Sequence, residues 1–394
     1  MTSSVGYLPP RHYLLCAAGA ALILGGCTQE VFAKGENTIK FDRSAVPELQ
    51  SGLEIPNKAC FGSIQGSGSI RELSSLMPEG DRKKPEPQDA GWQPTELIDI
   101  AVRGDLYAVV DRRTPSVTVM NSKFARRWHW EQKGNGPGEL QNPVAAQFDP
   151  RGGDTLWVLD NGRHKLLGFG PNGRFVRDVS VRSDVVSFDI TTDGRFLLSH
   201  MVLAARARGK ITVVSELSAS GEDLPRLLLD TSAAKPPEFV LPGPNRPRIR
   251  VLDDVIALIY PPAGVITLYR QDAGQPLVRT QQILTCLTPE LKQAYQKQLA
   301  ERRNPQSSVD FISDVTRRGD TLFVIGARPD TLGRYGIQRF SLSKGVSFGS
   351  IVLPAGKRIL PSEIRFRTSS TTALVVLDPG QGYVANLAIS LTRK

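Results

Sequence analysis

Gly153-Asp154-Thr155-Leu156-Trp157-Val158-Leu159-Asp160 is a polar turn, a run of strand-favouring side chains and a closing polar residue. Gly and Asp suit a tight turn because one tolerates positive φ and the other bonds its own backbone. Leu-Trp-Val-Leu suits a pleated, buried strand. The phrase returns along the chain. It reads Gly104-Asp105, LYAVV, Asp111, then Asp193-Gly194, RFLLS, His200, then Asp253-Asp254, VIALI, Tyr260. Two further copies are Gly319-Asp320, TLFVI, Gly326 and Thr371, TALVVL, Asp378. Spacings run from 40 residues, between Asp160 and His200, to 66, between Tyr260 and Gly326.

Each copy is flanked by further strand candidates. Leu97-IDIAV, Ala145-AQFD, Ser187-FDIT, Arg248-IRVL, Val309-DFISDV and Glu363-IRFR lie upstream. Lys165-LLGFGPNG, Ile211-TVVSELSASG, Val265-ITLYRQDAG and Ile337-QRFSLSKG lie downstream, and Phe175-VRDVSV supplies a fourth after the first of these. Four short strands per unit, repeated at a period a little above 40–50 residues, predict an all-β fold, a six-bladed β-propeller. The central runs scarcely alternate, as expected of strands covered on both faces. Residues 288–303 (TPELKQAYQKQLAERR) predict a short helical insertion, with Thr288 as N-cap, Pro289 at the first position and a basic end. After Tyr383-VANLAISL no fourth strand follows in the last unit. An N-terminal stretch near Ile39-Lys40-Phe41 or Ala59-CFGSI could supply it and cover the edge.

Length and composition agree with this picture. The chain has 394 residues, with 40% hydrophobic content, 36 Gly, 28 Pro and 4 Cys. That is too apolar for a disordered chain and too poor in cysteine for a disulfide scaffold. Arg11 and His12 precede the apolar run Leu14 to Leu24, which ends in Leu24-Gly25-Gly26-Cys27. The run fits a signal-peptide core and is too short to span a bilayer. Its end resembles the bacterial lipobox, which implies lipidation at Cys27 and export to the cell envelope. With Thr28 after the cysteine, the family sorting rule points to the outer membrane. The expected organisation is a signal peptide over 1–27, a tether and N-terminal segment over 28–92, and a propeller over 93–394. Cys60 and Cys286 remain after processing, and an extracytoplasmic compartment permits a disulfide between them.

Residues 131–175 resemble the NHL type of six-bladed β-propeller. The resemblance is carried by Gly134-x-Gly136-Pro137-Gly138-Glu139, Asn142-Pro143, the Leu-Trp-Val-Leu-Asp strand with Asn161 and Arg163, Phe169 and the Asn172-Gly173 turn. It covers one repeat; the rest of the chain fits by rhythm, and several copies lack the Asn/Arg pair. The resemblance implies a binding or scaffolding role, and enzymes occur on related propellers.

The chemistry on offer is sparse. Gly134-NGPG is followed by Glu139-Leu140-Gln141 and not by the Gly-Lys-Ser/Thr of a phosphate loop, so it reads as a connection between blades. Arg103-Gly104-Asp105 and Arg318-Gly319-Asp320 spell an adhesion tripeptide but occupy the recurrent turn. His129, His164 and His200 have no metal-type spacing, and no Gly-x-Ser-x-Gly elbow is present. Gluconolactonase-like propellers hold a divalent cation near the central channel, which implies Asp111, Asp160, Asn161 and Asp378 as candidate ligands in a metal-dependent lactonase or lyase. The ordinary role of such residues is turn capping.

Charge is the stronger feature. The net charge is +10, and Arg11 is the one charged residue within 1–27. Arg112, Arg113, Arg163, His164, Arg206, Arg208, Arg328 and Arg334 fall in connections after the second strand of their units, with Arg246 less clearly placed. Equivalent loops of successive blades share one end of a propeller, so these groups predict a basic rim. Such a rim suits a protein or an anionic polysaccharide as partner. No cofactor is expected, with a divalent cation only under the enzyme alternative. The membrane is reached through the lipid alone, and nucleic acid belongs to another compartment.

Overall fold

The structure, a computed structural model, describes residues 52–53, 63–65, 68–72, 95–121, 125–203, 211–218, 220–221, 225–231, 244–261, 264–271, 275–284, 312–326, 336–344, 346–352, 363–366, 372–378 and 383–388. Residues 1–27, expected as a signal peptide, with Cys27, Cys60, Cys286, the 288–303 segment and Arg206, Arg208, Arg328 and Arg334, lie outside the described residues. Among the described residues there is no α-helix. No helix among them is long and apolar enough to cross a membrane.

Three short strands come first: β1 (Gly52–Leu53), β2 (Ser63–Gln65) and β3 (Gly68–Glu72). The first blade is β4 (Leu97–Arg103), β5 (Leu106–Asp111), β6 (Ser116–Asn121) and β7 (Arg126–Trp130). The second is β8 (Pro143–Phe148), β9 (Leu156–Asp160), β10 (Lys165–Phe169) and β11 (Phe175–Ser180). The third begins with β12 (Val185–Ile190) and β13 (Phe196–His200), followed by a short excursion, β14 (Val202–Leu203). It is completed by β15 (Thr212–Leu217) and β16 (Arg226–Asp230). β17 (Pro244–Asn245) pairs with β14 outside the blade.

The fourth blade contains β18 (Arg248–Leu252), β19 (Val255–Tyr260), β20 (Val265–Arg270) and β21 (Val278–Leu284). The fifth contains β22 (Ile312–Arg318), β23 (Thr321–Gly326), β24 (Gly336–Ser341) and β25 (Val346–Val352). Last come β26 (Glu363–Phe366), β27 (Thr372–Asp378) and β28 (Tyr383–Ala388).

All six copies of the turn-and-strand phrase form the second strand of an antiparallel sheet. The expectation of six like blades is nevertheless corrected. Five blades, spanning residues 97–352, draw their four antiparallel strands from consecutive stretches of chain. The sixth copy lies in a composite sheet, β26-β27-β28-β3, whose outer strand comes from the other end of the sequence. The strand pairing with β28 is Gly68–Glu72, downstream of both stretches named above as candidates. β1 and β2 add parallel fifth strands to the outer edges of the fourth and fifth blades. The segment before β4 therefore covers three sheet edges that would otherwise expose unpaired backbone groups.

The first strands follow one another in contact, β4 to β8 to β12 to β18 to β22 to β26 and back to β4. This is the propeller arrangement, with first strands innermost. β9 and β13 are buried along their whole length, because each blade packs against a neighbour on both sides. The core consists of these interfaces. Val110, Phe148, Val158 and Phe169 join the first two blades, and Trp157, Phe188, Phe196 and Leu198 join the next pair. The Trp157 and Phe196 rings meet edge to face, 4.8 Å between centroids. Trp128 and Trp130 pack on Phe169 at 6.2 and 5.6 Å, so both serve the core.

Candidate functional site

Each blade ends its second strand on the face where the next turn begins, and there the sequence placed its candidate ligands. The residue after that strand donates its N–H to the carbonyl just before the first strand. The pairs are Arg112 to Glu96 at 3.1 Å, Asn161 to Asn142 at 2.9 Å and Met201 to Asp184 at 2.7 Å. Asp111, Asp160 and His200 are therefore equivalent positions in three blades.

Asp160 is fully buried, and its carboxylate accepts the N–H groups of Gln141 (2.6 Å), Asn142 (3.0 Å), Gly162 (2.9 Å) and Arg163 (3.1 Å). Asp111, equally buried, accepts from the Thr95 N–H and hydroxyl, Glu96 N at 3.2 Å and Thr114 N at 3.1 Å. Each carboxylate thus ties the entry of its blade to the turn after the second strand. With their acceptor capacity spent on backbone donors inside the protein, Asp111 and Asp160 do not fit the role of cation ligands. Asn161 is half-buried and takes part through its backbone. Asp378 closes β27 at the corresponding place in the composite sheet, and its side chain lies outside the described set. Among the described residues no group of three His, Cys, Asp or Glu side chains is placed to hold a metal ion.

In the third blade His200 takes the aspartate's place. Its Nδ1 lies 2.9 Å from Asp184 Oδ1 and its Nε2 lies 2.8 Å from Ser215 Oγ. This Ser-His-Asp alignment escaped the sequence reading because its members sit on three separate segments. It has the order of a hydrolytic triad, yet His200 is fully buried and Ser215 only 3% exposed, so no substrate carbonyl reaches the hydroxyl. The group braces the blade. Burial pushes the His200 pKa down, with the Asp184 hydrogen bond only partly opposing it. At Asp184, burial also opposes charge, but hydrogen bonds from Arg182 and His200 outweigh it and hold the carboxyl below its ordinary value.

A histidine harder to protonate when folded lets the unfolded chain bind more protons below about pH 6.5, so stability falls on acidification. Asp184 contributes stability that is kept above its unfolded value near 3.8 and lost only below it. Between pH 7 and 5 the histidine therefore dominates this pair. His200→Gln is expected to flatten the fall of the urea midpoint over that window. Parallel slopes for the two proteins would refute this.

The innermost strands carry a second set of charges. Arg250 on β18 is 4% exposed and donates from Nε to Asp314 Oδ1 of β22 at 2.8 Å. Its Nη2 lies 3.7 Å from Asp99 Oδ1 on β4, while Asp99 Oδ2 accepts the Ala146 N–H of β8 at 2.7 Å. β4 and β18 are not neighbours in the cycle of first strands, so this guanidinium crosses the axis of the ring. Beside it, Asp189 on β12 accepts the Val251 N–H at 2.8 Å and Arg248 donates to Ser313 O at 3.0 Å. The described part of the centre is thus a packed charge network in which an arginine side chain is the cation.

The basic groups divide. Arg163 donates to three backbone carbonyls, Gly136 (2.8 Å), Glu139 (2.6 Å) and Asn135 (3.0 Å), fixing the 134–139 loop. Inside that loop the Glu139 carboxylate accepts the Gly136 N–H at 2.6 Å, which closes it to phosphate and agrees with its reading as a connection. Arg112 is bonded to Glu96. Arg113 and His164 are exposed, His164 in a left-handed conformation at φ 54°. In the tripeptide turns, Gly104 and Gly319 have φ of 53° and 55°, and Arg103 pairs with Asp154 of the next blade at 3.4 Å. Both tripeptides are turns of the blades, as expected.

The class defined by these sheets is the β-propeller. Among solved structures, the chain is similar to a Bacteroides fragilis protein named only as exported, at 12% identity and TM-score 0.50, covering 86% of this chain and 100% of that one. It also aligns with virginiamycin B lyase from Staphylococcus aureus (9% identity, TM-score 0.49, 83% and 100% covered). A gluconolactonase from Xanthomonas campestris aligns at 11% identity and TM-score 0.48, with 82% and 90% covered. At these identities the likeness concerns the fold alone. No protein-family model matches the sequence, and no curated protein sequence matches it either.

Proposed function

We propose that this chain is an NHL-like β-propeller of the bacterial cell envelope, in which the composite sheet closes the ring after five blades. In this reading it is lipid-anchored through Cys27 or secreted, and it binds a protein or an anionic glycan through the loops that follow the second strands. The similarity to a protein described as exported supports the compartment in outline. One observation carries the choice of binding over metal-assisted catalysis. The carboxylates best placed to ligate a cation, Asp111 and Asp160, are turned inward onto backbone amides, whereas Arg113 and His164 beside them are exposed. With Arg11 gone after processing, an excess of nine positive charges reinforces the choice, since exposed cations attract anionic partners.

The test is capture of partners from native envelope by the mature chain and by a variant with Arg113, Arg206 and Arg208 changed to Glu. Arg112 is left intact because its pairing with Glu96 makes its reversal a stability change. Loss of at least one partner by a variant with an unchanged melting temperature is expected. An identical partner set would refute the reading.

A further inference from the structure

The chain contains three Asn-Gly pairs, Asn135-Gly136, Asn161-Gly162 and Asn172-Gly173. A glycine after asparagine leaves the backbone nitrogen open to the carboxamide before it, because no Cβ stands in the way. The three pairs differ in what surrounds them.

At Asn135-Gly136 a nucleophile, an electrophile and a base meet. The Gly136 N–H donates to Glu139 Oε2 at 2.6 Å. A Cβ on Gly136 would stand 2.9 Å from Glu139 Cδ, so the carboxylate lies tight against this residue. Asn135 Oδ1 accepts from Gln141 Nε2 at 2.6 Å, which polarises the carboxamide carbon. The peptide oxygen of Asn135 accepts from Arg163 Nη2 at 3.0 Å. A cation at that oxygen stabilises the charge that develops there as the peptide N–H is withdrawn. Asn135 is exposed, so water reaches it.

The other two pairs are arranged differently. The Gly162 N–H also meets a carboxylate, Asp160 Oδ1 at 2.9 Å, but that carboxylate is fully buried and serves four amides. Asn161 itself is half-buried. The Gly173 N–H donates to the Gly170 carbonyl at 2.9 Å, where a base would be needed, and Asn172 Oδ1 accepts the Arg174 N–H at 3.2 Å.

We propose that Asn135 is a self-modification site, converted to aspartate or isoaspartate through a cyclic imide because Glu139, Gln141 and Arg163 surround its bond to Gly136. The Gly136 nitrogen gives its proton to the Glu139 carboxylate and bonds to Asn135 Cγ. The carbonyl electron pair moves onto Oδ1, where Gln141 holds it. Its return breaks the Cγ–Nδ2 bond, and Nδ2 leaves as ammonia with the proton from Glu139. Water then opens the imide at either carbonyl, with no change of oxidation state, and Glu139 ends as it began. The product places a new anion beside Glu139 in the connection between the first two blades. This site does not depend on the binding reading above.

Peptide mass spectrometry of the purified chain, incubated near neutral pH, follows all three asparagines at once. In the folded protein Asn135 is expected to convert at least about 10-fold faster than Asn161 or Asn172, below the usual contribution of a positioned base. In denaturant the three rates are expected to converge, with Asn135 slower than in the fold. Glu139→Gln keeps an acceptor for the Gly136 N–H without a base, and is expected to slow Asn135 about 10-fold at an unchanged melting temperature. Gln141→Met removes the donor to Oδ1 and is expected to slow it at least about 3-fold. Should Glu139→Gln disturb folding, Gln141→Met and the comparison of folded with denatured chain decide. Faster conversion of Asn135 in denaturant than in the fold would show that the loop protects the residue, and would overturn the assignment. Equal rates at Asn135 and Asn172 in the folded chain, or unaltered rates in the folded variants, would overturn it too.

Discussion

Replacing Arg250 with Met is expected to lower folding stability by about 3–5 kcal/mol, the cost of leaving buried carboxylates without their cation. The guanidinium sits between Asp314, bonded at 2.8 Å and fully buried, and Asp99, 3.7 Å away and 3% exposed. Removing it leaves two desolvated carboxylates facing the centre of the ring. Removing all three charges together, as Asp99→Asn, Arg250→Met and Asp314→Asn, is expected to restore much of the loss. An amide oxygen at 99 can still accept from Ala146, and no uncompensated charge remains. Denaturant midpoints of the four single and combined variants measure this directly. A triple variant as unstable as Arg250→Met would show that the network acts by packing rather than by charge balance.

Asp160→Ala is expected to cost about 3–4 kcal/mol, because four backbone N–H groups lose a charged, fully buried acceptor. The carboxylate joins the entry of the second blade, at Gln141 and Asn142, to the turn at Gly162 and Arg163. Its loss should also loosen the 134–139 loop, since Arg163 then loses the constraint on its own backbone. Asp160→Asn keeps one acceptor oxygen and is expected to cost less than half as much. A chelator should leave the melting temperature of the unaltered protein in place while Asp160→Ala lowers it. If the chelator alone reproduces the loss, the carboxylate holds a metal and the present account of it is wrong.

These two residues differ in how far they could be read from sequence. Asp160 closes a phrase that recurs, and its partners lie within 19 residues, so turn capping was the ordinary expectation for it. The second strands themselves were legible for the same reason, since a turn followed by a doubly buried strand leaves a local pattern. Arg250 gave no such signal. It meets Asp314 across 64 residues and Asp99 from a non-adjacent blade, and only the closed ring brings them together. The Asp184-His200-Ser215 brace was hidden likewise, because a histidine replaced the aspartate of its sister blades and took its acceptor from another segment. The last blade shows the same limit. Its missing strand was evident, but the choice of Gly68–Glu72 depends on pairing with Tyr383–Ala388 at the far end of the chain.

The basic groups were legible as charges and not as contacts. Arg163 belonged to the NHL-like repeat and to the predicted rim, and it spends its donors on three carbonyls of the 134–139 loop. Lys165, next to Arg163 and His164 in the predicted basic cluster, is paired with Asp178, while Arg177 lies over the Trp157 ring on the other face of the same strand pair. The antiparallel register sets this division, with Lys165 opposite Ser180 and Arg177 opposite Gly168.

On the proposed reading, recognition runs through exposed cations while Asp111 and Asp160 serve the backbone. Retention of a captured envelope partner is measured under two treatments, a chelator and a rise in ionic strength from about 0.15 to 1 M, which shortens the screening length from about 8 to 3 Å. On that reading, release by salt and full retention in chelator are expected. Release by chelator with retention in salt would contradict it.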